Sequence, residues 1–250
     1  MDYIKKYEEI AGKLGLDMEK DLEAAGILEG MSPKNDLTWL EKAIRNKNVF
    51  VFGAGPSLKD DIREMKKYRL DKSPNTVLIA ADGAAKALLE ERLLPNIQVT
   101  DLDGFDNVVI ELNQKDVITV VHAHGDNIGS LKSVVPNLKN FIGTTQTKPP
   151  AGSRLHNFGG FTDGDRCVFL ADKFKPHLII LAGMDFGKEV GFYSGRYDKQ
   201  NKATKLEIGK KLLEEFAKES NSTIINMTAK GESILNIPRL DAENLKNLID

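Results

Sequence analysis

Cysteine and long apolar runs are nearly absent from this sequence. The 250 residues include one cysteine, Cys167, so no disulfide bond can form within the chain. The lack of disulfides is typical of proteins from reducing compartments. No stretch approaches the roughly 20 apolar residues that a membrane-spanning helix needs, and the N-terminal residues contain no apolar signal core. These absences predict a cytoplasmic protein that does not cross a membrane.

An excess of charge of one sign is missing as well. The chain carries 35 basic and 37 acidic residues, which gives a net charge of -2. Nucleic-acid-binding proteins usually carry a basic surplus, so we expect no nucleic-acid partner. Any phosphate binding must then come from local geometry. With 41% hydrophobic and 29% charged residues, the composition is that of a folded globular protein.

Short apolar runs alternate with helical stretches from Asn48 onward, and this alternation predicts an α/β fold. The runs are nearly continuous in apolar residues, as in strands that are buried on both faces of a parallel sheet. The predicted strands are 49–52, 76–80, 97–100, 117–121, 140–142, 177–182 and 223–226. The predicted helices between them are 56–68, 83–94, 105–113, 127–135, 163–174 and 202–219. We therefore expect a mostly parallel sheet flanked by helices.

The first 46 residues show helical periodicity instead. We predict three helices here, with Ser32-Pro33 as the break before the last and Asn35 or Asp36 as its N-cap. The predicted organisation is a helical appendage over residues 1–46 and a catalytic domain over 47–250. Exposed apolar residues on the appendage would be consistent with a homodimer.

The ends of the predicted strands hold most of the residues that suggest chemistry. Ligands of open α/β sheets bind beyond the carboxyl ends of the strands. Five of the predicted strands end in the sequences GAGPS (53–57), ADGA (81–84), DLDG (101–104), HAHGDN (122–127) and GMDFG (183–187). Each contains glycine and four contain aspartate, which is more than turn formation requires. Among these residues Asp185 is a candidate for binding the nucleotide or cofactor.

The first of these ends joins a strand to a helix through Gly53, Gly55 and Ser57. Glycines allow a phosphate to approach the backbone, and a helix N-terminus favours an anion. We expect these three residues to bind a nucleotide, although a tight turn without a ligand is the alternative. The loop lacks the Walker A pattern, and Leu58 replaces the third glycine of the dinucleotide fingerprint. Asp82 could still bind a ribose, so a nicotinamide cofactor stays open as an alternative.

The third strand end carries two carboxylates, Asp101 and Asp103. In an extended segment, residues two apart point to the same side, where two unpaired carboxylates repel each other. A divalent cation between them removes this cost, and Mg²⁺ binds through one or two carboxylates together with water and phosphate. The sequence therefore predicts a Mg²⁺ site. The alternative is an Asx turn in which Asp103 caps the following helix.

The fourth strand end combines His122, His124 and Asp126. We expect Asp126 to be a third carboxylate for the same cation and the two histidines to contact phosphate or substrate. A zinc or iron site formed by the three residues is one alternative. A purely structural N-cap at Asp126 is the other.

Two later segments complete the set of candidates. A glycine-rich loop containing Gly159 and Gly160 leads into a helix capped by Thr162 or Asp163, and we expect it to wrap a nucleotide with Phe158 or Phe161 against the base. After Asp185 comes a basic segment that could close over a polyphosphate or simply be a solvated surface. Its candidate residues are Lys188, Tyr193, Arg196, Tyr197, Lys199, Lys202 and Lys205.

Taken together, these motifs resemble the archaeal 6-hydroxymethyl-7,8-dihydropterin pyrophosphokinases. The residues that carry the resemblance are VFGAGPSL (51–58), ADGA (81–84), VTDLDG (99–104), HAHGDN (122–127), NFGGFTDGDR (157–166) and LAGMDFG (181–187). The resemblance covers residues 48–230 and implies a Rossmann-like fold related to that of thiamin pyrophosphokinases. The broader group also contains glycosyltransferase-like proteins that act in flagellin modification.

The resemblance implies Mg²⁺-dependent transfer of diphosphate from ATP to the hydroxymethyl group of a dihydropterin, with release of AMP. It assigns the metal to Asp101 and Asp103, less directly to Asp126, and leaves Asp82 to orient the acceptor hydroxyl. ATP and a pterin are then the expected small-molecule partners. Thr144, Thr145, Gln146 and Asn157 are pterin-pocket candidates by position alone. The alternatives are a nucleotide-sugar-dependent glycosyltransferase, a thiamin pyrophosphokinase and a non-catalytic nucleotide-binding module.

Overall fold

Seven parallel strands form one sheet in the part of the chain that the computed structural model describes, namely residues 1–34, 37–187, 189–195 and 199–249. The strands are β1 Asn48–Phe52, β2 Thr76–Ala81, β3 Ile97–Thr100, β4 Ile118–Ala123, β5 Ile142–Thr145, β6 Leu178–Ala182 and β7 Thr223–Asn226. Their order across the sheet is β5-β4-β3-β2-β1-β6-β7. The predicted α/β class and the predicted number of strands, seven, are confirmed, and every pairing between the strands is parallel.

Helices precede the sheet and cover both of its faces. They are α1 Tyr3–Leu14, α2 Met18–Met31, α3 Thr38–Ile44, α4 Leu58–Lys67, α5 Ala84–Glu90, α6 Asp106–Gln114, α7 Ile128–Val134, α8 Asp163–Lys173, α9 Lys199–Glu219 and α10 Ala242–Ile249. Helix α10 was not predicted. The other nine match predicted helical segments, with ends that shift by a few residues.

Alternate residues of the central strands enter two separate cores. Val49 and Val51 of β1 pack with α8 and α9 on one face of the sheet. Phe50 and Phe52 point to the other face and pack with α4 and α5. Because both sets are fully buried, residues 49–52 are all apolar, and the one polar residue of the strand, Asn48, stands at its start.

The strand order places a crossover directly above the centre of the sheet. Strands β1 to β5 are added successively toward one edge, whereas β6 returns to the other side of β1. The connection over residues 146–162 therefore runs from the edge strand back to the middle, and α8 packs against β1, β2, β3 and β6. This topology brings the N-terminus of α8 over the carboxyl ends of the strands, and it creates a switch point between β1 and β6.

The N-terminal helices pack on the sheet rather than beside it. Asp2 and Asp17 cap α1 and α2 through their carboxylates, and Gly15 ends α1 in the left-handed conformation. Helix α2 contacts β4, β5 and α7, and its Leu28 is fully buried. The predicted cap of α3 at residues 35 or 36 lies outside the described residues. The division of the chain at residue 46 stays a prediction, as does the homodimer.

None of the helices described by the structure combines the length and apolarity required to cross a membrane.

We expect the N-terminal helices to unfold together with the sheet. Leu28→Ala should lower the free energy of unfolding by about 2–5 kcal/mol, because it leaves a cavity in a fully buried site. Leu22→Ala on the same helix is the control, since Leu22 is 58% exposed; it should change stability by less than about 1 kcal/mol. Urea denaturation measures both. Equal, small effects of the two substitutions would show that α2 does not share the cooperative core.

Candidate active site

Three carboxylates converge at the carboxyl ends of β2 and β3. One oxygen from each of Asp82, Asp101 and Asp103 lies within 4.8 Å of the others. Asp101 is buried, Asp82 is partly buried and Asp103 stands exposed at the rim. No other group of three potential metal ligands occurs among the described residues. The predicted pair at the end of β3 is therefore joined by Asp82 from the neighbouring strand.

The two carboxylates of the DLDG segment are brought together by a turn, not by strand alternation. Strand β3 ends at Thr100, and Leu102 has a φ of 62°, in the left-handed region. This conformation costs a branched residue roughly 1–2 kcal/mol, and burial of the Leu102 side chain in the core next to α7 holds it in place. Asp82 also has a positive φ, of 42°. Strained backbone of this kind is concentrated at functional sites.

Hydrogen bonds fix the positions of these turns. The Thr100 hydroxyl donates to Asp82 Oδ1 over 2.9 Å and accepts from the Leu102 amide over 2.9 Å. The Asn127 side-chain amide donates to the carbonyls of Asp101 and His122, and so ties the end of β3 to that of β4. The carboxylates are thus preorganised by neutral side chains that leave their charges uncompensated.

Among the residues that the structure describes, Asp82 and Asp103 form no ion pair, and Asp101 pairs only with His124. Burial and the neighbouring Asp101 charge raise the pKa of both Asp82 and Asp103. Burial alone would also raise the pKa of Asp101, but hydrogen bonding to His124 and the charge of Arg166 outweigh it and hold that pKa below its usual range. The His124 Nε2 atom lies 3.4 Å from Asp101 Oδ2. Asp101 is therefore the carboxylate that stays ionised, and its negative charge makes ionisation of Asp82 and Asp103 less favourable.

This cluster fits a hard divalent cation. Asp101 Oδ1 is buried without a hydrogen-bond partner, an arrangement that costs free energy unless something occupies that lone pair. The ligands are all carboxylate oxygens, which favour Mg²⁺, Mn²⁺ or Ca²⁺ over zinc or iron. The donor set therefore suits the predicted magnesium better than the alternative histidine-containing site.

Asp126 does not belong to this cluster. It lies in the exposed 3₁₀ turn of residues 125–127 that follows β4, where its amide faces His124 Nδ1 at 3.3 Å. The turn is capped by His124 and Asn127, so Asp126 is not its N-cap either. The third carboxylate of the cluster is Asp82 instead.

Asp163 and Arg166, which the sequence analysis did not select, reach the same site. Thr162 and Asp165 form a capping box at the start of α8, which leaves the Asp163 side chain free to face the cluster. Burial and the Asp101 charge raise the pKa of Asp163. Arg166 Nη1 lies 3.4 Å from Asp163, and its Nε atom is buried without a partner. The TDGD segment could have indicated this role. A capping box at the start of α8 uses Asp165, so Asp163 is not needed to cap the helix.

Two clefts meet at the acidic cluster. The first, which we call the glycine cleft, lies at the switch point, has a volume of about 130 Å³ and is lined by the ends of β1, β2, β3 and β6 and the start of α8. The second, which we call the helical cleft, has a volume of about 210 Å³ and lies between the α1–α2 turn and the end of β4. Asp101, Phe161, Arg166 and Lys205 line both clefts.

The glycine-rich turn after β1 borders the glycine cleft, but its amides are already used. The Gly53 and Gly55 N–H groups donate to the carbonyls of Ala182 and Gly183. A side chain at Gly55 would collide with the Asp185 carboxylate, 2.2 Å from its Cβ position. The glycines thus allow the segments after β1 and β6 to pack closely together. Their amides already donate to backbone carbonyls and are not available to bind a nucleotide.

Ser57 has a structural role of the same kind. It is fully buried, and its amide and hydroxyl bond to Asp185 Oδ2 at 3.1 and 2.8 Å. It does not line either cleft. Asp185 does line the glycine cleft, where its Oδ1 atom is buried without a partner. Of these two predicted nucleotide contacts, the geometry leaves Asp185 available.

His122, Gly159 and Gly160 lie behind the clefts rather than on them. They border a small interior cavity that also includes Arg166. His122 bonds to the Thr144 hydroxyl at 3.0 Å, and burial lowers its pKa so that the ring is neutral. The two glycines have positive φ and pack directly against α1, α8 and Arg166. Neither the histidine nor the glycines contact the cleft in which we expected them.

Four pterin-pocket candidates and the basic segment are divided between these spaces. Gln146 borders the helical cleft, whereas Thr144, Thr145 and Asn157 border only the interior cavity. Lys202 and Lys205 line the glycine cleft.

Tyr193, from the same basic segment, is instead buried against Glu90. Lys188, Arg196 and Tyr197 lie outside the described residues, as does the side chain of Lys199. Phe161 borders both clefts, and Phe158 packs against His156 away from them.

The fold and the site together define an α/β enzyme with a cluster of acidic side chains at the carboxyl edge of its sheet. The parallel sheet has its switch point at a glycine-lined cleft, which is where such folds bind nucleotides and other phosphorylated ligands. Clustered carboxylates and the basic groups Arg166, Lys202 and Lys205 face the same space. This combination is typical of enzymes that handle phosphoryl groups through a divalent cation.

Comparison with known proteins identifies the family. The family model described as 6-hydroxymethylpterin diphosphokinase MptE-like matches residues 27–191. The 6-hydroxymethyl-7,8-dihydropterin pyrophosphokinase of Methanocaldococcus jannaschii is 44% identical over 88% of this chain and 91% of its own length. The proteins of the same name from Methanothermobacter thermautotrophicus and Pyrococcus furiosus are 43% and 36% identical, over 86% and 89% of this chain and 90% and 96% of their own lengths. The chain belongs to the 6-hydroxymethylpterin diphosphokinase family, and the named relatives are diphosphotransferases.

A solved structure shares the fold. The MAf glycosyltransferase from Magnetospirillum magneticum AMB-1 superposes with a TM-score of 0.52 over 88% of this chain, at 16% sequence identity. The match spans 39% of that larger protein. At this identity the likeness concerns the fold alone.

The stability of the metal-free protein should decrease as the pH rises. The pKa values of Asp82 and Asp103 are raised in the folded state, so these groups bind protons more tightly there than in the unfolded chain. Their contribution to the free energy of unfolding is complete below the pKa of an unfolded carboxyl, about 4. It is lost as the pH rises through the raised values. Asp61 and Asp165, whose pKa values burial raises to about 6, act in the same direction. Thermal melts in a chelator between about pH 5 and pH 9 measure this decrease.

Asp103→Asn isolates the contribution of the cluster. By removing one repelling charge, it should raise Tm at the alkaline end by about 2–4 °C, the shift expected for about 1 kcal/mol in a chain of this size. Glu23→Gln removes one negative charge from an exposed position of α2 and is the control. A lower Tm for Asp103→Asn than for this control at high pH would contradict the repulsion that we infer.

Proposed function

We propose that this protein transfers the terminal diphosphate of ATP to the hydroxymethyl group of 6-hydroxymethyl-7,8-dihydropterin and releases AMP. The observation that carries the proposal is the convergence of Asp82, Asp101 and Asp103 where two clefts meet. Two substrates can then approach one cation site from opposite sides. The names of three relatives that match nearly the whole chain support the pterin as the acceptor.

We assign ATP to the glycine cleft. It lies at the switch point of the sheet, where nucleotides bind in related architectures, and it contains the apolar side chains Met184, Phe186 and Leu206 that can pack against an adenine. Lys202, Lys205 and Arg166 line the same cleft and can neutralise a polyphosphate. The pterin then occupies the helical cleft on the other side of Asp101.

Asp101 and Asp103 would hold Mg²⁺, the metal predicted from the sequence. When bound, the ion supplies charge neutralisation for the β- and γ-phosphates. Arg166 contributes a fixed positive charge next to Asp163 and orients toward the same phosphates. Phosphoryl transfer depends mainly on positioning of the substrates and on charge stabilisation. Asp101, Asp103 and Arg166 would supply both.

The remaining residue of the cluster completes the chemistry. The Thr100 hydroxyl donates to Oδ1 of Asp82, and once a bound cation has ionised Asp82, its second carboxylate oxygen would orient the acceptor hydroxyl and take its proton. The hydroxyl oxygen forms a bond to the β-phosphorus as the bond between that phosphorus and the α–β bridging oxygen breaks. AMP leaves with the bridging oxygen, and the pterin carries the diphosphate.

The proposal is tested by an assay with ATP, Mg²⁺ and 6-hydroxymethyl-7,8-dihydropterin, in which the nucleotide product is identified. We expect AMP and the pterin diphosphate in equal amounts. ADP would indicate transfer of a single phosphoryl group and would contradict the proposal. Turnover of a nucleotide sugar without consumption of ATP would indicate a glycosyltransferase instead, and turnover of thiamin in place of the pterin would indicate a thiamin pyrophosphokinase. ATP binding without formation of any product would indicate a non-catalytic nucleotide-binding module.

Substitutions at the cluster should separate folding from turnover. Asp101→Asn and Asp103→Asn should each reduce kcat by at least about 100-fold, the scale observed when charge stabilisation is removed from an active site, while circular dichroism stays unchanged. Asp116→Asn is the control, because Asp116 lies after α6 with a carboxylate that is 90% exposed; its turnover should be unaffected. Near-normal rates in the two cluster variants would overturn the metal assignment.

A further inference from the structure

We propose that Asp126 is the specificity residue for the pterin, and that its carboxylate binds the 2-amino-pyrimidinone edge of the ring in the helical cleft. This inference rests on the proposed function and deepens it by naming the acceptor pocket. It gives Asp126 a role in recognising the acceptor instead of the metal-binding role that its position in the sequence suggested.

Asp126 is the available carboxylate of the helical cleft. Four aspartates line this cleft: Asp17, Asp21, Asp101 and Asp126. Asp17 caps α2 through Oδ1, and Asp101 belongs to the cation cluster. Asp126 is exposed, and its carboxylate makes no hydrogen bond or ion pair with the residues that the structure describes.

Asp21 is already saturated by protein donors. Its Oδ1 accepts from the Gly125 amide at 2.6 Å. Its Oδ2 accepts from the Tyr7 hydroxyl and from the Gln146 side-chain amide, the latter at 2.9 Å. These bonds join α1, α2, the turn after β4 and the segment after β5 into one wall of the cleft. Asp21 thus builds the pocket and does not bind its ligand.

Two further polar groups in the cleft lack a protein partner. Arg166 Nε and Asp101 Oδ1 are both buried without a hydrogen bond, and both residues, each less than 9% exposed, line the helical cleft. Unpaired buried groups of this kind are costly unless a ligand or water satisfies them. These two groups mark the inner end of the cleft as the place where it meets the proposed cation and phosphate sites, and the free carboxylate of Asp126 lies at its outer end.

This distribution of groups complements the pterin ring. The N3–H and 2-amino groups present two parallel donors that a carboxylate accepts in bidentate fashion. The adjacent C4 carbonyl is an acceptor, and Lys20 lines the same cleft with its ammonium group 4.0 Å from Asp17. His124 lies next to both ends of the proposed pocket: its Nε2 atom is 3.4 Å from Asp101 Oδ2, and its Nδ1 atom accepts from the Asp126 amide at 3.3 Å. The bicyclic ring would lie alongside this imidazole, with its hydroxymethyl group at the cluster and its 2-amino group toward Asp126.

The test compares two ligands that differ at the recognised group. We would measure fluorescence titrations of 6-hydroxymethylpterin and of 6-hydroxymethyllumazine, in which oxygen replaces the 2-amino group. Mg²⁺ and α,β-methylene-ATP are present throughout, so that no transfer occurs. We expect the unmodified protein to prefer the pterin by about 10–100-fold, as charge-assisted hydrogen bonds of this kind contribute. Asp126→Asn should weaken pterin binding by a similar factor and leave lumazine binding nearly unchanged.

Asp17→Asn is the matched control. It removes the same charge from the same cleft, and asparagine caps a helix as well as aspartate does, so pterin affinity should change by less than about 2-fold. The KM for ATP should stay unchanged in both variants. A preference for the pterin that survives Asp126→Asn, or an equal loss in Asp17→Asn, would overturn the inference while leaving the proposed function intact. If the unmodified protein binds no pterin, the proposed function itself fails.

Discussion

The site depends on a repulsion that the fold maintains. Asp82, Asp101 and Asp103 lie close together at the ends of two adjacent strands, and in the described part of the chain neither Asp82 nor Asp103 has an ion-pair partner. Left-handed turns at Asp82 and Leu102, together with hydrogen bonds from Thr100 and Asn127, hold the carboxylates in this arrangement. We propose that this arrangement is a preorganised cation site, because little rearrangement would be needed when a cation binds.

The topology of the sheet supplies the remaining parts. Because β6 returns to the side of β1, the connection from β5 must cross the ends of the intervening strands. That crossing delivers Phe161, Asp163 and Arg166 to the acidic cluster and divides the space above the sheet into two clefts. The N-terminal helices close the second cleft through the bonds of Asp21. They therefore contribute to the site as well as to stability.

The sequence predicted the fold more completely than the site. Apolar strands buried on both faces give a strong local signal, and six of the seven appeared where expected, whereas β5 (Ile142–Thr145) shares only Ile142 with the predicted strand 140–142. Asp101 and Asp103 were also recognisable, because two acids at a strand end have few structural explanations. The third carboxylate was assigned to Asp126 because chain position does not reveal the extra turn after β4. The glycines at 53, 55, 159 and 160 attracted a phosphate interpretation, whereas their surroundings show close backbone packing. The roles of Asp126 and of these glycines depend on hydrogen bonds and packing between segments that are distant in sequence. A local sequence pattern does not reveal such contacts.

In the proposed mechanism, the carboxylates at the ends of β2 and β3 bind a divalent cation together with the phosphates of ATP. The most direct measurement is anomalous diffraction from crystals grown with Mn²⁺ and α,β-methylene-ATP, recorded near the manganese edge. Manganese replaces magnesium at sites of oxygen ligands and can be located without reference to activity. We predict an anomalous peak in contact with Asp101 and Asp103 and with the nucleotide phosphates. A peak located elsewhere, or a bound nucleotide without any peak at these carboxylates, would contradict the account.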